Sequence, residues 1–140
     1  MGMRFAEECH GIRGAVFTVY SVLGSGFAED VYQEALEWEL AERKIPFVAH
    51  LQARIRYKTH LLDKVYIPDL TCHGKILVEL KAVKTLLPEH EAQIVNYLRA
   101  TGMELGLLVN FGANPRVEIK TFSNRADFNA GEAVFNGFQC

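Results

Sequence analysis

Long hydrophobic runs are missing from this chain: nowhere do about eighteen apolar residues follow one another, so no membrane-spanning helix is encoded. The opening MGMRFAEECHGIRGAVF also lacks a basic stretch followed by an uninterrupted apolar run. No secretory leader is therefore expected, and the cytoplasm is the expected location. Cysteine is scarce. Cys9, Cys72 and Cys140 stand far apart with no CxxC or Cys/His pairing, which excludes a zinc or iron–sulfur site built on them and suits a reducing compartment. The five histidines, His10, His50, His60, His73 and His90, show neither metal-ligand spacing nor a partner nucleophile, so Ser/His or Cys/His catalysis finds no support. Trp38 and the nine phenylalanines fall in no stacking motif for single strands and are expected in the core.

Repeats and low-complexity tracts are absent too, and strong punctuation is confined to Gly24-Ser25-Gly26, Pro46, His73-Gly74, Pro88 and Asn114-Pro115. The 140 residues are read as one domain, with the tail from 123 to 140 unassigned. With 49% hydrophobic and 23% charged residues, such a domain needs no metal or disulfide as a staple. Any metal would then serve chemistry.

Net charge is only −2, but its distribution is uneven. Residues 1–46 carry four basic against eight acidic residues, 47–84 carry seven against three, and 85–140 carry four against six. The basic middle, with Arg54, Arg56, Lys58, Lys64, Lys75 and Lys84, either meets phosphates or is simply a set of solvated strand residues.

Apolar spacing predicts helices over 4–22 and 27–44, the second with Ala28, Tyr32, Ala35, Leu36 and Leu40 on one side. HLQARIRYK, LDKVYIPDL and KILVELK then read as three antiparallel strands. A third helix opens at Pro88 and closes at Gly102, followed by strands LGLLVNF and VEIKTF. The order α-α-β-β-β-α-β-β predicts an α/β domain with helices on a mixed, twisted sheet.

The chemistry lies in IPDLTCHGKILVELKAV. Strand alternation puts Glu79 and Lys81 on one face with Leu77, while Ile76, Val78 and Leu80 point the other way. Asp69 joins that face only if the hairpin has the right parity. A two-residue His73-Gly74 turn would pair it with Val78, on the wrong side; a three-residue Cys72-His73-Gly74 loop, or another of the same parity, pairs it with Leu77. Asp69 and Glu79 could then share a hard cation such as Mg²⁺ or Mn²⁺, with the Leu80 carbonyl as a further oxygen and Lys81 offsetting charge at phosphorus. Taken alone, this pattern also fits an ordinary cross-strand salt bridge.

Pro68-Asp69 and Glu79-Leu80-Lys81, in their order of helix, strands, helix and strand, resemble the two signature positions of the PD-(D/E)xK nuclease superfamily. Gly26-Phe27-Ala28-Glu29-Asp30-Val31-Tyr32 resembles the defining motif of its GxxExxY branch. VELKAV, QIVNYL and GLLVNFG agree in order and spacing, over roughly residues 10–122. Tyr20 stands where that branch often has histidine, and Ile67 where a basic or small residue is common.

The resemblance implies a restriction-endonuclease-like fold and a Mg- or Mn-dependent hydrolase of phosphodiester bonds. It implies a nucleic-acid substrate, DNA in preference to RNA; the missing apolar run implies no membrane partner, and a homodimer is one way to address both strands of a duplex. It casts Asp69, Glu79, Lys81 and Gln93 as catalytic, and Asp69, Glu79, Leu80 and Glu29 as metal ligands. Tyr97 is its expected nucleic-acid contact, and Lys84 and Arg56 of the basic middle are expected to join it. From the residues alone, Glu29 reads equally as a first-turn glutamate favoured by the helix dipole, and Tyr97 as core. Two other functions fit the composition: a nucleic-acid-binding or scaffolding module retaining the nuclease fold without turnover, or a protein-interaction domain without metal affinity.

Overall fold

The computed structural model describes residues 5–124 together with a short strand at 135–136. Two helices open the chain, α1 (Ala6–Leu23) and α2 (Glu29–Glu42), followed by β1 (Phe47–Ala49), β2 (Ala53–Tyr57), β3 (His60–Tyr66), β4 (Leu70–Cys72) and β5 (Ile76–Lys81). Then come α3 (Pro88–Thr101), β6 (Leu105–Asn110), β7 (Glu118–Ser123) and β8 (Phe135–Asn136). The strands form a five-stranded mixed sheet, β1-β4-β5-β6-β7, and a smaller one, β3-β2-β8. This is the expected α/β architecture, with helices on both faces of the larger sheet.

The three expected antiparallel strands are instead two hairpins in separate sheets. The stretch read as one strand through Pro68 breaks at Ile67-Pro68-Asp69, so β3 belongs to the small sheet and β4 to the large one. Pro68 is the physical cause: it has no N–H to give a ladder and sits buried at the crossing. Upstream, a short edge strand, β1, pairs with β4 and precedes the residues expected to start the first hairpin.

β5 lies between antiparallel β4 and parallel β6 and is buried on both faces. Ile76, Val78 and Leu80 pack with Leu105, Leu107 and Val109 against α1 and α2. Leu77 and Leu108 face α3, against Ile94 and Leu98. Each such aliphatic side chain contributes about 1.5–3 kcal/mol by leaving water. Gly106 lets α3 come close, because a Cβ there would stand 3.0 Å from Ile94.

The helices end as their caps dictate: Gly24 (φ 74) donates its N–H to the Tyr20 carbonyl, and Gly102 (φ 72) to that of Leu98. On α2 the inward stripe is Tyr32, Leu36 and Leu40. Trp38 is not core. It lies two residues from Leu36, about 200° round the helix, and is 67% exposed. Phe17 and Phe27, also expected inside, are half-exposed.

Candidate active site

The β4–β5 hairpin pairs Leu70 with Val78, Thr71 with Leu77 and Cys72 with Ile76. Its loop is His73-Gly74-Lys75, closed by the Lys75 N–H to the Cys72 carbonyl at 3.1 Å. His73 (φ 56) and Gly74 (φ 66) both take the left-handed conformation. The loop has three residues, one position later than expected, and the parity is preserved. Continuing the register by one residue sets Asp69 opposite Glu79 rather than Leu77, on the face that looks toward α3.

Asp69 is held by several bonds. Its backbone carbonyl accepts from the His50 N–H at 3.2 Å and from Gln33 Nε2 at 3.1 Å. Its Oδ2 accepts from the Leu80 N–H at 2.7 Å. Because the N–H and C=O of one residue leave a strand on the same side, the Leu80 carbonyl faces this same gap beyond the start of β4.

From α3, Gln93 accepts a hydrogen bond from Lys81 Nζ at 3.3 Å through Oε1, and its Nε2 donates to the Tyr97 hydroxyl at 3.0 Å. Asp69, Glu79, Lys81, Gln93 and Tyr97 are thus gathered at the C-terminal end of β5. Glu29, in the first turn of α2, is close enough to Asp69 and Lys81 to feel their charges. Partial withdrawal from water raises its pKa, as does the Asp69 charge, while Lys81 pulls the other way. Lys84 is exposed just beyond β5, and Arg56 stands half-buried on β2.

Glu79 is the anomaly. It is 6% exposed, and its Oε2 is buried without a hydrogen-bond partner. Burial first, then the neighbouring Asp69 charge, push its carboxyl up to about 9; Lys81 offsets this only in part. A carboxylate so placed asks for positive charge. Among the described residues no three His, Cys, Asp or Glu side chains converge as a ready metal cage. The donor set is therefore two carboxylates and a carbonyl, which fits a hard cation that keeps several waters. Cys9 and Cys72 are buried free thiols, Cys72 pushed to about 12 by burial, which removes it as a nucleophile.

A model of the PD-(D/E)XK nuclease superfamily matches residues 6–122. The chain belongs to that superfamily. Among solved structures, SSO0001 is similar in fold, with a TM-score of 0.56 and 20% identity over 71% of this chain. The match covers 52% of SSO0001, so the chain spans about half that protein's length. No curated protein matches the chain.

Several positioning residues were not legible beforehand. Gln33, buried on α2, bonds both the Asp69 carbonyl and Glu37. Asn110, fully buried at the end of β6, accepts from the Val83 N–H and donates to the Val83 carbonyl, at 3.0 and 2.9 Å, fixing the chain just after Lys81. Tyr66 sets its ring edge-on to Tyr97, centroids 4.5 Å apart. The Tyr32 hydroxyl accepts from the N–H groups of Gly26 (2.9 Å) and Phe27 (3.2 Å) and donates to the Gly24 carbonyl. That gives the G-x-x-E-x-x-Y spacing a structural meaning: the tyrosine ties down the loop from which the helix carrying Glu29 starts.

Proposed function

We propose that this chain is a Mg²⁺- or Mn²⁺-dependent nuclease of the GxxExxY branch, hydrolysing phosphodiester bonds, with DNA preferred to RNA. The supporting observation is the buried, unpartnered Glu79 oxygen beside Asp69, with the Lys81 ammonium on the same face. Asp69, Glu79 and the Leu80 carbonyl would hold the ion, with nearby Glu29 as a further carboxylate. When bound there, such an ion acts as a Lewis acid toward phosphate and makes water more acidic.

The chain's own residues do the rest. The Leu80 N–H fixes the orientation of the Asp69 carboxylate. Gln93 aims the Lys81 ammonium, which offsets the negative charge building on the phosphoryl oxygens and orients the attacking water. The Tyr97 hydroxyl, oriented by Gln93, and exposed Lys84 meet the flanking backbone, and Arg56 meets it further out on the smaller sheet. No covalent enzyme intermediate is needed, and the described residues offer no activated nucleophile.

The test is a cleavage panel over single-stranded, duplex and branched DNA and RNA, with Mg²⁺, Mn²⁺ or EDTA. Ion-dependent cleavage of DNA is expected. Ion-independent cleavage, or none of any substrate, would reject the proposal.

A further inference from the structure

The β2–β3 hairpin stands outside the five-stranded sheet. With β8 it forms a separate three-stranded sheet, in which β3 is an outer strand with His60 to Val65 all exposed. Between residues 53 and 66 it carries Arg54, Arg56, Lys58 and Lys64 against Asp63 alone, in a chain whose net charge is −2. Arg54 is committed to bracing the ribbon, through the Leu62 carbonyl at 2.7 Å and Asp63 at 3.1 Å. That neutralises the one acidic group and leaves Lys58 and Lys64 as exposed charge. The ribbon's root is in the site: Tyr66 packs on Tyr97, and Ile67-Pro68 leads directly into Asp69.

The tip adds an independent observation. Tyr57 pairs with His60, so the turn is Lys58-Thr59, and Lys58 takes φ 55. Left-handed backbone suits glycine or asparagine and costs other residues roughly 1–2 kcal/mol. A lysine therefore occupies the most protruding point of the ribbon against local preference, with its ammonium 5.4 Å from the Tyr57 ring centroid.

We infer that the β2–β3 ribbon is an arm that enters the major groove of B-form duplex DNA beside the scissile bond, Lys58 and Lys64 contacting phosphates across it. The inference rests on the nuclease reading for its class of ligand. Beyond Arg54 and Ile55, where β8 pairs with β2, the described residues leave the hairpin a two-stranded ribbon, which fits that groove, whereas the A-form groove of duplex RNA is too deep and narrow to admit it. A strand of this length reaches about 20 Å, enough to span the groove from a body docked at the cleavage point.

Fluorescence anisotropy with labelled duplex DNA, single-stranded DNA and duplex RNA, in EDTA so that nothing is cut, tests this. The parent should bind duplex DNA most tightly. Lys58→Gly and Lys64→Ala should each lower duplex affinity and reduce the slope of log affinity against log salt by roughly 0.9. Lys58→Gly should meanwhile melt no lower than the parent, since it relieves the turn, so weaker binding cannot be blamed on unfolding. The arm is refuted if the double variant keeps the parent's duplex affinity and salt slope, or if the parent binds duplex RNA or single strands as well as duplex DNA. Cleavage is scored separately. DNA cut by a parent whose binding ignores both lysines sinks the arm alone, and lysine-dependent duplex binding without cleavage sinks the nuclease reading alone.

Discussion

Replacing Glu79 with glutamine should stabilise the protein in the absence of divalent ions, an unusual outcome for a proposed metal ligand. Burial and the Asp69 charge hold the Glu79 carboxyl near 9, against 4.5 in an unfolded chain. Below pH 4.5 the group is protonated in both states and costs nothing. Between about 4.5 and 9 the folded chain keeps a proton that the unfolded chain has released, so the unfolding free energy falls by about 1.4 kcal/mol per pH unit. At pH 7 the accumulated loss is on the order of 3 kcal/mol, and Glu79→Gln avoids it. Urea unfolding in EDTA from pH 4 to 9 should show the parent losing stability relative to the variant as pH rises. Adding Mn²⁺ should reverse the order, because the ion takes the proton's place in the parent and the amide cannot hold it as well. Parallel pH profiles for the two proteins in EDTA would refute the reasoning.

Three further outcomes follow from the geometry. Asn110→Leu should cost about 2–3 kcal/mol in urea unfolding, because it strands the buried Val83 N–H and carbonyl. Tyr32→Phe should cost about 1–3 kcal/mol by removing the hydroxyl that bonds Gly24, Gly26 and Phe27; hydrogen exchange should be faster at those two amides. Mn²⁺ binding should release close to one proton per chain near pH 7, read as a calorimetric enthalpy that varies with the buffer's ionisation heat.

The site's face was legible because strand alternation is rigid: once Glu79 and Lys81 share a strand, they must share a side. Parity carried Asp69 to the same side even though the loop sits one residue later than expected. The break at Pro68 had a signal, since a proline inside LDKVYIPDL argues against a continuous strand, but only tertiary structure shows that the chain changes sheets there. Gln33 and Asn110 gave no signal, since a lone amide looks the same in sequence whether it braces a neighbouring stretch of backbone or faces water. Trp38 was read as core only because it falls in no stacking motif; its offset from Leu36 already pointed outward. The helices were read well because Gly24, Pro88 and Gly102 punctuate them by steric necessity.

The Asp69–Glu79–Lys81 centre is tested most directly by comparing DNA cleavage in Mn²⁺ by the parent and by Lys81→Ala, after calorimetry has shown that both bind the ion. The parent should cut and Lys81→Ala should fall by about 10²–10³-fold, the scale of losing one preorganised charge-stabilising group, with its fold and ion affinity retained. Cleavage by Lys81→Ala at the parent's rate would contradict the assignment.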